Sequence, residues 1–284
     1  MLNHTLVNPL PEVDKIKKLH SLGINVDRQT GHLSYSDKFI PLTLSCKLVF
    51  IRHGETYGNC GQATVDGKID KLSVQNGFKN KDKRIFQGDV DTEINQLTEN
   101  GKTQAISAAY QLEDDLLSKC WTPDIIISSP LRRAMDTAHP FVMRNLLMNR
   151  FFCDSRIKEI SFGSWENRRI CDFSPSDNCH SFYKNQNALI KSLSSSLQSG
   201  NSPESFCDLL IRAYDFLHDI NRKYPNKKII LYSHSMFGGA CCILLGKGLV
   251  HKDKHYILFD GSSENGQSCV LPHAVPIVLN FKND

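Results

Sequence analysis

Lys47–Asn59, KLVFIRHGETYGN, is the stretch on which the reading of the fold turns. An apolar run (Leu48, Val49, Phe50, Ile51) stops abruptly, and a cation, an imidazole, a glycine and a carboxylate follow at Arg52, His53, Gly54 and Glu55. An unbroken run of this kind predicts a strand buried on both faces, as at the centre of a parallel α/β sheet. Ligands of such sheets bind just beyond the carboxyl ends of the strands, so Arg52 and His53 stand where chemistry is expected. Arginine presents a planar fork that suits phosphate oxygens, and neutral histidine is a nucleophile or base near pH 7. Gly54 is expected to let the backbone turn or approach a ligand closely. Taken alone, the tripeptide reads equally well as an exposed polar loop after a strand.

The same signal recurs further along. Ile125, Ile126 and Ile127 predict a second buried strand, followed by Ser128, Ser129, Pro130, Leu131, Arg132 and Arg133, with Pro130 opening a helix. Lys228 to Tyr232 predicts a third, followed at once by Ser233, His234 and Ser235. Between them lie helical patterns. One is capped by Thr98 and carries Ala105, Ala108, Ala109, Leu112 and Leu116; another spans Glu204 to Tyr224; a third runs from Phe237 to Leu245. Ile157 to Glu166 reads as a short apolar strand with an acid, Glu159, before a glycine turn, and Tyr256–Phe259 and Val275–Phe281 look strand-like. Upstream, Pro11 to Leu22 predicts an amphipathic helix with Val13, Ile16, Leu19 and Leu22 on one side. Gly61 to Arg84 reads as a polar, locally basic loop, and 167–203 as an excursion over one end of the sheet.

Composition bounds the class. With 284 residues, 40% apolar and 23% charged, the chain suits a soluble globular protein, and a net charge of +4 is too slight for a nucleic-acid binder. Ten scattered cysteines without a CxxC pair point to free thiols in a reducing compartment, not to a disulfide scaffold or a structural zinc site. The first residues lack a basic segment followed by an apolar core, so a cytoplasmic location is expected. Ile229 to Gly246 is the most apolar segment, but it contains His234, serines and glycines. It therefore reads as strand and helix, and no membrane partner is expected.

The ordered set LVFIRHGET, QG with Asp91 following, LTENGKTQA, SSPLRRAMDTA, IKEISFGSWE, PES and YSHS resembles the histidine phosphatase superfamily, the phosphoglycerate-mutase-like fold. The resemblance runs from about 47 to 281. It implies an α/β three-layer sandwich with a mostly parallel central sheet flanked by helices. It further implies an N-terminal extension over 1–46 and a phosphatase domain over 47–284, with an insertion at about 60–84 and a cap-like excursion at about 164–203. His53 resembles the phosphorylated nucleophile, Arg52, Arg133 and His234 the rest of the phosphate pocket, and Glu159 the proton donor. Arg133 is preferred to Arg132 because the family arginine directly precedes an alanine, here Ala134. Asn59 resembles an auxiliary phosphate ligand. Ser235 replaces the glycine usual after the second histidine and is taken as a further phosphate contact; Asn167 likewise replaces a usual glycine.

The chemistry these groups suit is phosphoryl transfer without a metal or other cofactor. Cations neutralise the phosphate oxygens, lower the pKa of His53 and align it in line with the ester, while a partly desolvated Glu159 acquires a raised pKa and protonates the leaving oxygen. The expected activity is hydrolysis of a small phosphorylated metabolite through a phosphohistidine. A phosphoglycerate-type mutase, suggested by LPHAVPIVLNF, and a non-catalytic phosphate-binding module are the alternatives. Lys79, Lys81, Lys83, Arg84, Arg168 and Arg169 are candidate contacts for a second phosphate.

Overall fold

A computed structural model describes residues 12–115, 121–194, 202–261 and 268–280. Three apolar runs form the heart of a five-stranded sheet. β3 (Lys47–Arg52), β4 (Ile125–Ser128) and β6 (Lys228–Ser233) pair in parallel, with β6 between the other two. β5 (Phe151–Cys153) extends the β4 edge in parallel, and β7 (Pro276–Asn280) closes the β3 edge antiparallel, giving the order β5-β4-β6-β3-β7. A separate hairpin of β1 (Ile24–Val26) and β2 (Leu33–Tyr35) precedes the sheet.

Side chains alternate across each strand, so the two faces carry different cores. Leu48 and Phe50 face a cluster shared with α6 (Phe206–Lys223) and α7 (Ser235–Leu244). Val49 and Ile51 face Ala109, Leu112, Ala138 and Phe141 from α3 (Glu99–Asp115) and α4 (Arg132–Arg144). The result is a three-layer α/β sandwich whose central strands are buried on both sides.

Register sets the active edge. Arg52 pairs with Ser233, and Ser128 with Tyr232, so β3, β4 and β6 end nearly level and their following residues emerge side by side. β7 runs the other way, with Pro276 opposite Ile51, and so delivers the residues before it to that same edge.

Several expectations need correction. In α1 (Glu12–Ser21) Ile16 and Leu19 are buried as expected, but Val13 is exposed and Lys15 is buried instead, paired with Asp208 on α6. Glu159 follows a 3₁₀ turn (Ser155–Ile157) and not a strand. The nearby strand is β5, whose exposed Phe152 and Cys153 hide the usual apolar signature. Among the described residues Tyr256–Phe259 forms only isolated bridges, Ile257 pairing with Leu33 of β2 and with Val250, while Phe259 stacks on Phe206 with ring centres 4.3 Å apart. The 61–84 stretch contains a short helix, α2 (Lys71–Gln75), started by Asp70 accepting from Ser73 N at 3.2 Å. Pro130 lies before Leu131, the N-cap of α4, and not in the helix. α7 begins at Ser235, earlier than expected. Leu116, Phe281 and the proposed start at Pro11 fall outside the described residues.

The described part of the 164–203 excursion contains α5 (Asn178–Tyr183) and is tied to the rest by aromatic contacts, the Phe86 ring centre lying 5.5 Å from those of Trp165 and Phe173. Asn167 has φ +62°, a left-handed conformation that asparagine tolerates better than most side chains. Its amide also bonds Thr92 and Asn95, which explains how it substitutes for glycine.

Candidate active site

The site is assembled from the level strand ends. His53 continues β3, its N–H bonding Ser233 O at 3.0 Å, and its ring is almost wholly buried. Nδ1 lies 2.8 Å from Gly54 O. A carbonyl only accepts, so Nδ1 carries the proton and Nε2 keeps its lone pair. Gly54 is required for close approach to protein, not for a turn toward a ligand: a Cβ there would stand 2.5 Å from Gly101 O in the first turn of α3. The Gly54 N–H donates to Thr137 Oγ1 on α4 at 2.9 Å, fixing the turn after the nucleophile candidate.

Cations surround this ring. Arg52 is buried at the end of β3; its Nη1 donates to Leu271 O at 2.7 Å, and its Nε has no protein partner among the described residues. Arg133, in the first turn of α4, is completely buried. Its Nη1 donates to Val90 O at 3.2 Å and its Nη2 to Gly88 O, Asp91 stands 3.7 Å away, and its Nε is also unpartnered. Asp91 accepts from Arg132 N at 2.9 Å, capping α4. That bond leaves Arg132 at the surface side of the turn and Arg133 inward. His234 follows β6, fully buried, with Nε2 2.8 Å from Ser129 Oγ and Nδ1 unpartnered. Its ring centre is 5.3 Å from that of His53. Buried polar atoms are nearly always bonded, so unpartnered nitrogens on three converging residues mark a place for an anion.

Burial, reinforced by Arg133, Arg52, His234 and His273, lowers the pKa of His53 well below its usual 6.5. Burial and the same arginines lower His234 likewise. Burial also brings Arg52 down to about 10, against the opposing charge of Glu159. Glu159 is buried between these groups and α7. It accepts from Met236 N and Phe237 N at 3.2 Å each and from Ile160 N at 3.1 Å, so it caps α7 from outside the helix. Burial raises its pKa in spite of those bonds and of Arg133 and Arg52.

Asn59 and Ser235 sit differently. Asn59 is half-buried on the turn after Thr56, with its Oδ1 buried and unpartnered among the described residues. Ser235 Oγ accepts from Leu271 N at 3.2 Å, and Leu271 O is the acceptor for Arg52. The serine hydroxyl is therefore engaged with the segment that holds Arg52. Of the second-phosphate candidates, Lys79 pairs with Glu55 at 2.7 Å, Arg169 pairs with Asp172, and Arg168 stacks over Phe173 at 4.1 Å. Lys81 and Lys83 lie in a 3₁₀ turn, and Arg84, whose Nε bonds Lys81 O, acts electrostatically on Arg52 and Asp260.

Three neighbours escaped the sequence reading. His273 is delivered by the antiparallel entry to β7; its ring centre is 5.6 Å from that of His53, and its Nδ1 donates to His53 O at 3.0 Å. Burial lowers its pKa to about 4. Arg212 on α6 clamps the Glu159 segment by bonds to Arg156 O, Lys158 O and Glu159 O, and is itself held by Glu204 of the PES motif. Glu166 is buried beside the Arg133 seat, its carboxyl pushed up to about 8 chiefly by burial. The signals were present as HAV, an arginine inside a helix, and WE, but none announces its direction. Among the described residues, no group of three or more His, Cys, Asp or Glu is arranged to hold a metal ion, and no helix is long and apolar enough to cross a membrane.

The family model described as histidine phosphatase superfamily (branch 1) matches residues 48–257. A mannitol-1-phosphatase of Eimeria tenella is 31% identical over 290 residues, covering 91% of this chain and 82% of that protein. A glucosyl-3-phosphoglycerate phosphatase of Mycobacterium tuberculosis is 34% identical over 120 residues, covering 42% of this chain and 39% of that one. The solved native structure of a mycobacterial glucosyl-3-phosphoglycerate phosphatase aligns with TM-score 0.48 and 24% identity over 68% of this chain and 76% of that chain.

Proposed function

The chain belongs to the histidine phosphatase superfamily, and from that premise we propose that it hydrolyses phosphate monoesters of a small metabolite through a phosphohistidine at His53. The observation that carries this reading is the His53 imidazole. Its Nδ1 proton is committed to Gly54 O, its Nε2 keeps a free lone pair, and burial, two buried guanidiniums and His234 keep that nitrogen unprotonated. Arg52, Arg133 and His234 hold the equatorial phosphate oxygens, using the nitrogens that lack protein partners among the described residues, and Asn59 assists through its amide NH₂. With Ser129 donating to its Nε2, His234 presents Nδ1–H to the phosphate.

Two displacements follow. His53 Nε2 attacks phosphorus, the P–O bond to the leaving group breaks, and protonated Glu159 gives its proton to the departing oxygen. Water then attacks the phosphohistidine, Glu159 takes a proton from it, the P–N bond breaks, and phosphate leaves. The net reaction is ester plus water to alcohol plus phosphate. The same reading assigns 47–284 to the catalytic unit and 1–46 to an N-terminal extension.

The relatives named above are phosphatases, which favours hydrolysis over mutation. The relative that covers most of the chain is named for mannitol 1-phosphate, so phosphorylated sugar alcohols head the substrate panel. The second reading, a phosphoglycerate-type mutase, draws only on His273 and the LPHAVPIVLNF segment. Free-phosphate release against phosphoglycerate isomerisation separates the two, and isomerisation without release would reverse the choice. Excising 63–83, which carries Lys79, Lys81 and Lys83, should leave aryl phosphate hydrolysis intact and alter the preference among metabolites; an unchanged preference would refute a second-phosphate role for them.

A further inference from the structure

We propose that Glu166 is a positioning residue that seats Arg133 and the Glu159 segment relative to each other through the backbone of Gly88, Asp89 and Phe162. The proposal rests on the phosphatase reading above and goes beyond it, giving the QG and WE motifs one shared task. Oε2 of Glu166 accepts from Gly88 N at 2.9 Å, and Oε1 accepts from Asp89 N at 3.1 Å and from Phe162 N at 2.9 Å. The carbonyls of the same strap, Gly88 O and Val90 O, are the acceptors that hold the Arg133 guanidinium. Phe162 lies three residues beyond Glu159. One buried carboxyl group thus joins the seat of the phosphate-binding arginine to the segment that carries the acid.

The contact is tight. A Cβ on Gly88 would lie 2.1 Å from Glu166 Oε1 and 2.4 Å from Ile160 O, so only glycine lets the strap reach the carboxylate. The strap is secured on its other side as well. Thr56 Oγ1 donates to Gln87 Oε1 at 2.7 Å, and Gln87 Nε2 donates to Asn95 O. With the carboxylate gone, Gly88 and Asp89 would lose their anchor and the Arg133 acceptors would move with them. Lys158, paired with Asp89 at 3.3 Å, ties the strap a second time to the Glu159 segment.

The test is a double-mutant cycle on the full chain, reading inorganic phosphate affinity by phosphorus NMR titration. Glu166→Gln keeps the shape but turns one oxygen into an NH₂ facing a backbone N–H. Phosphate affinity should fall about tenfold in the otherwise native protein and less than about twofold in an Arg133→Ala background. Equal losses in both backgrounds, or no loss in the native one, overturn the proposal. Should Glu166→Gln fail to fold by circular dichroism, Gly88→Ala repeats the cycle from the other side of the contact, with the same expected pattern. A native protein that neither binds phosphate nor hydrolyses any monoester instead sinks the functional reading itself, and this proposal with it.

Discussion

Replacing Glu159 by glutamine separates chemistry from architecture more cleanly than any other single change. The native carboxylate accepts three backbone N–H bonds, from Ile160, Met236 and Phe237. Glutamine can keep the two made by Oε1 while its NH₂ opposes Met236 N–H, leaving one buried donor unsatisfied. That costs about 1–3 kcal/mol of stability, and the lost negative charge at the start of α7 adds about 0.3–1 kcal/mol. The fold should survive, since stabilities run at about 5–15 kcal/mol. Turnover should not. Losing a general acid costs about 10²–10⁴-fold on an alkyl phosphate, equivalent to about 2.7–5.5 kcal/mol of barrier. With p-nitrophenyl phosphate the leaving group needs no proton, so the first step should remain fast and hydrolysis of the phosphohistidine should become slow. Stopped-flow absorbance should then show a burst of about one nitrophenolate per enzyme followed by a slow phase. Alkyl phosphate turnover within about threefold of the native rate would refute the role assigned to Glu159.

Other consequences can be checked directly. Because His53 is lowered well below 6.5 and must be unprotonated to attack, while Glu159 is raised above 4.5 and must be protonated to donate, kcat/KM should follow a bell-shaped pH profile. The rise on the acid side should lie below 6.5, the fall should lie above 4.5, and Glu159→Gln should abolish the fall; a single rise centred at 6.5 contradicts the pair of shifts. His273→Phe removes the bond to His53 O and should lower kcat roughly three- to tenfold with little change in KM, the scale of one lost hydrogen bond; unchanged kcat would leave His273 without a part. Lys15→Met removes the ion-pair partner of Asp208, whose Oδ2 still accepts from Ser205 N and Oγ, and should cost about 1–3 kcal/mol by urea unfolding with the activity of folded protein retained. A loss under about 1 kcal/mol would mean that α1 is held by apolar contacts alone.

Much of this arrangement is legible in the chain because its local signals agree with one another. Leu48–Ile51, Ile125–Ile127 and Ile229–Tyr232 have no competing reading, and the polar residues that end them are those brought together by the parallel register. Arg133 could be told from Arg132 only by family position; the structure supplies the cause, since Asp91 caps the helix at Arg132 N and turns the next side chain inward. Groups whose roles depend on long-range backbone contacts stayed hidden. His273 arrives through an antiparallel edge strand, and Glu166 acts through the N–H groups of residues far away in sequence. Lys15 was missed because a lysine on a helix is normally solvated, and here an acidic partner on α6 holds it inside. Glu159 follows a 3₁₀ turn where the sequence suggests a strand, since such a turn and a capping carboxyl group leave no periodic pattern.

The most direct test follows the phosphoryl group. The protein is mixed with ³²P-labelled p-nitrophenyl phosphate, whose leaving group needs no proton, quenched in alkali within the turnover time and digested. Acid-labile, alkali-stable label should be found on the peptide containing His53, accumulate further in Glu159→Gln, and vanish in His53→Ala. Label on another residue, or full turnover by His53→Ala, would contradict the account.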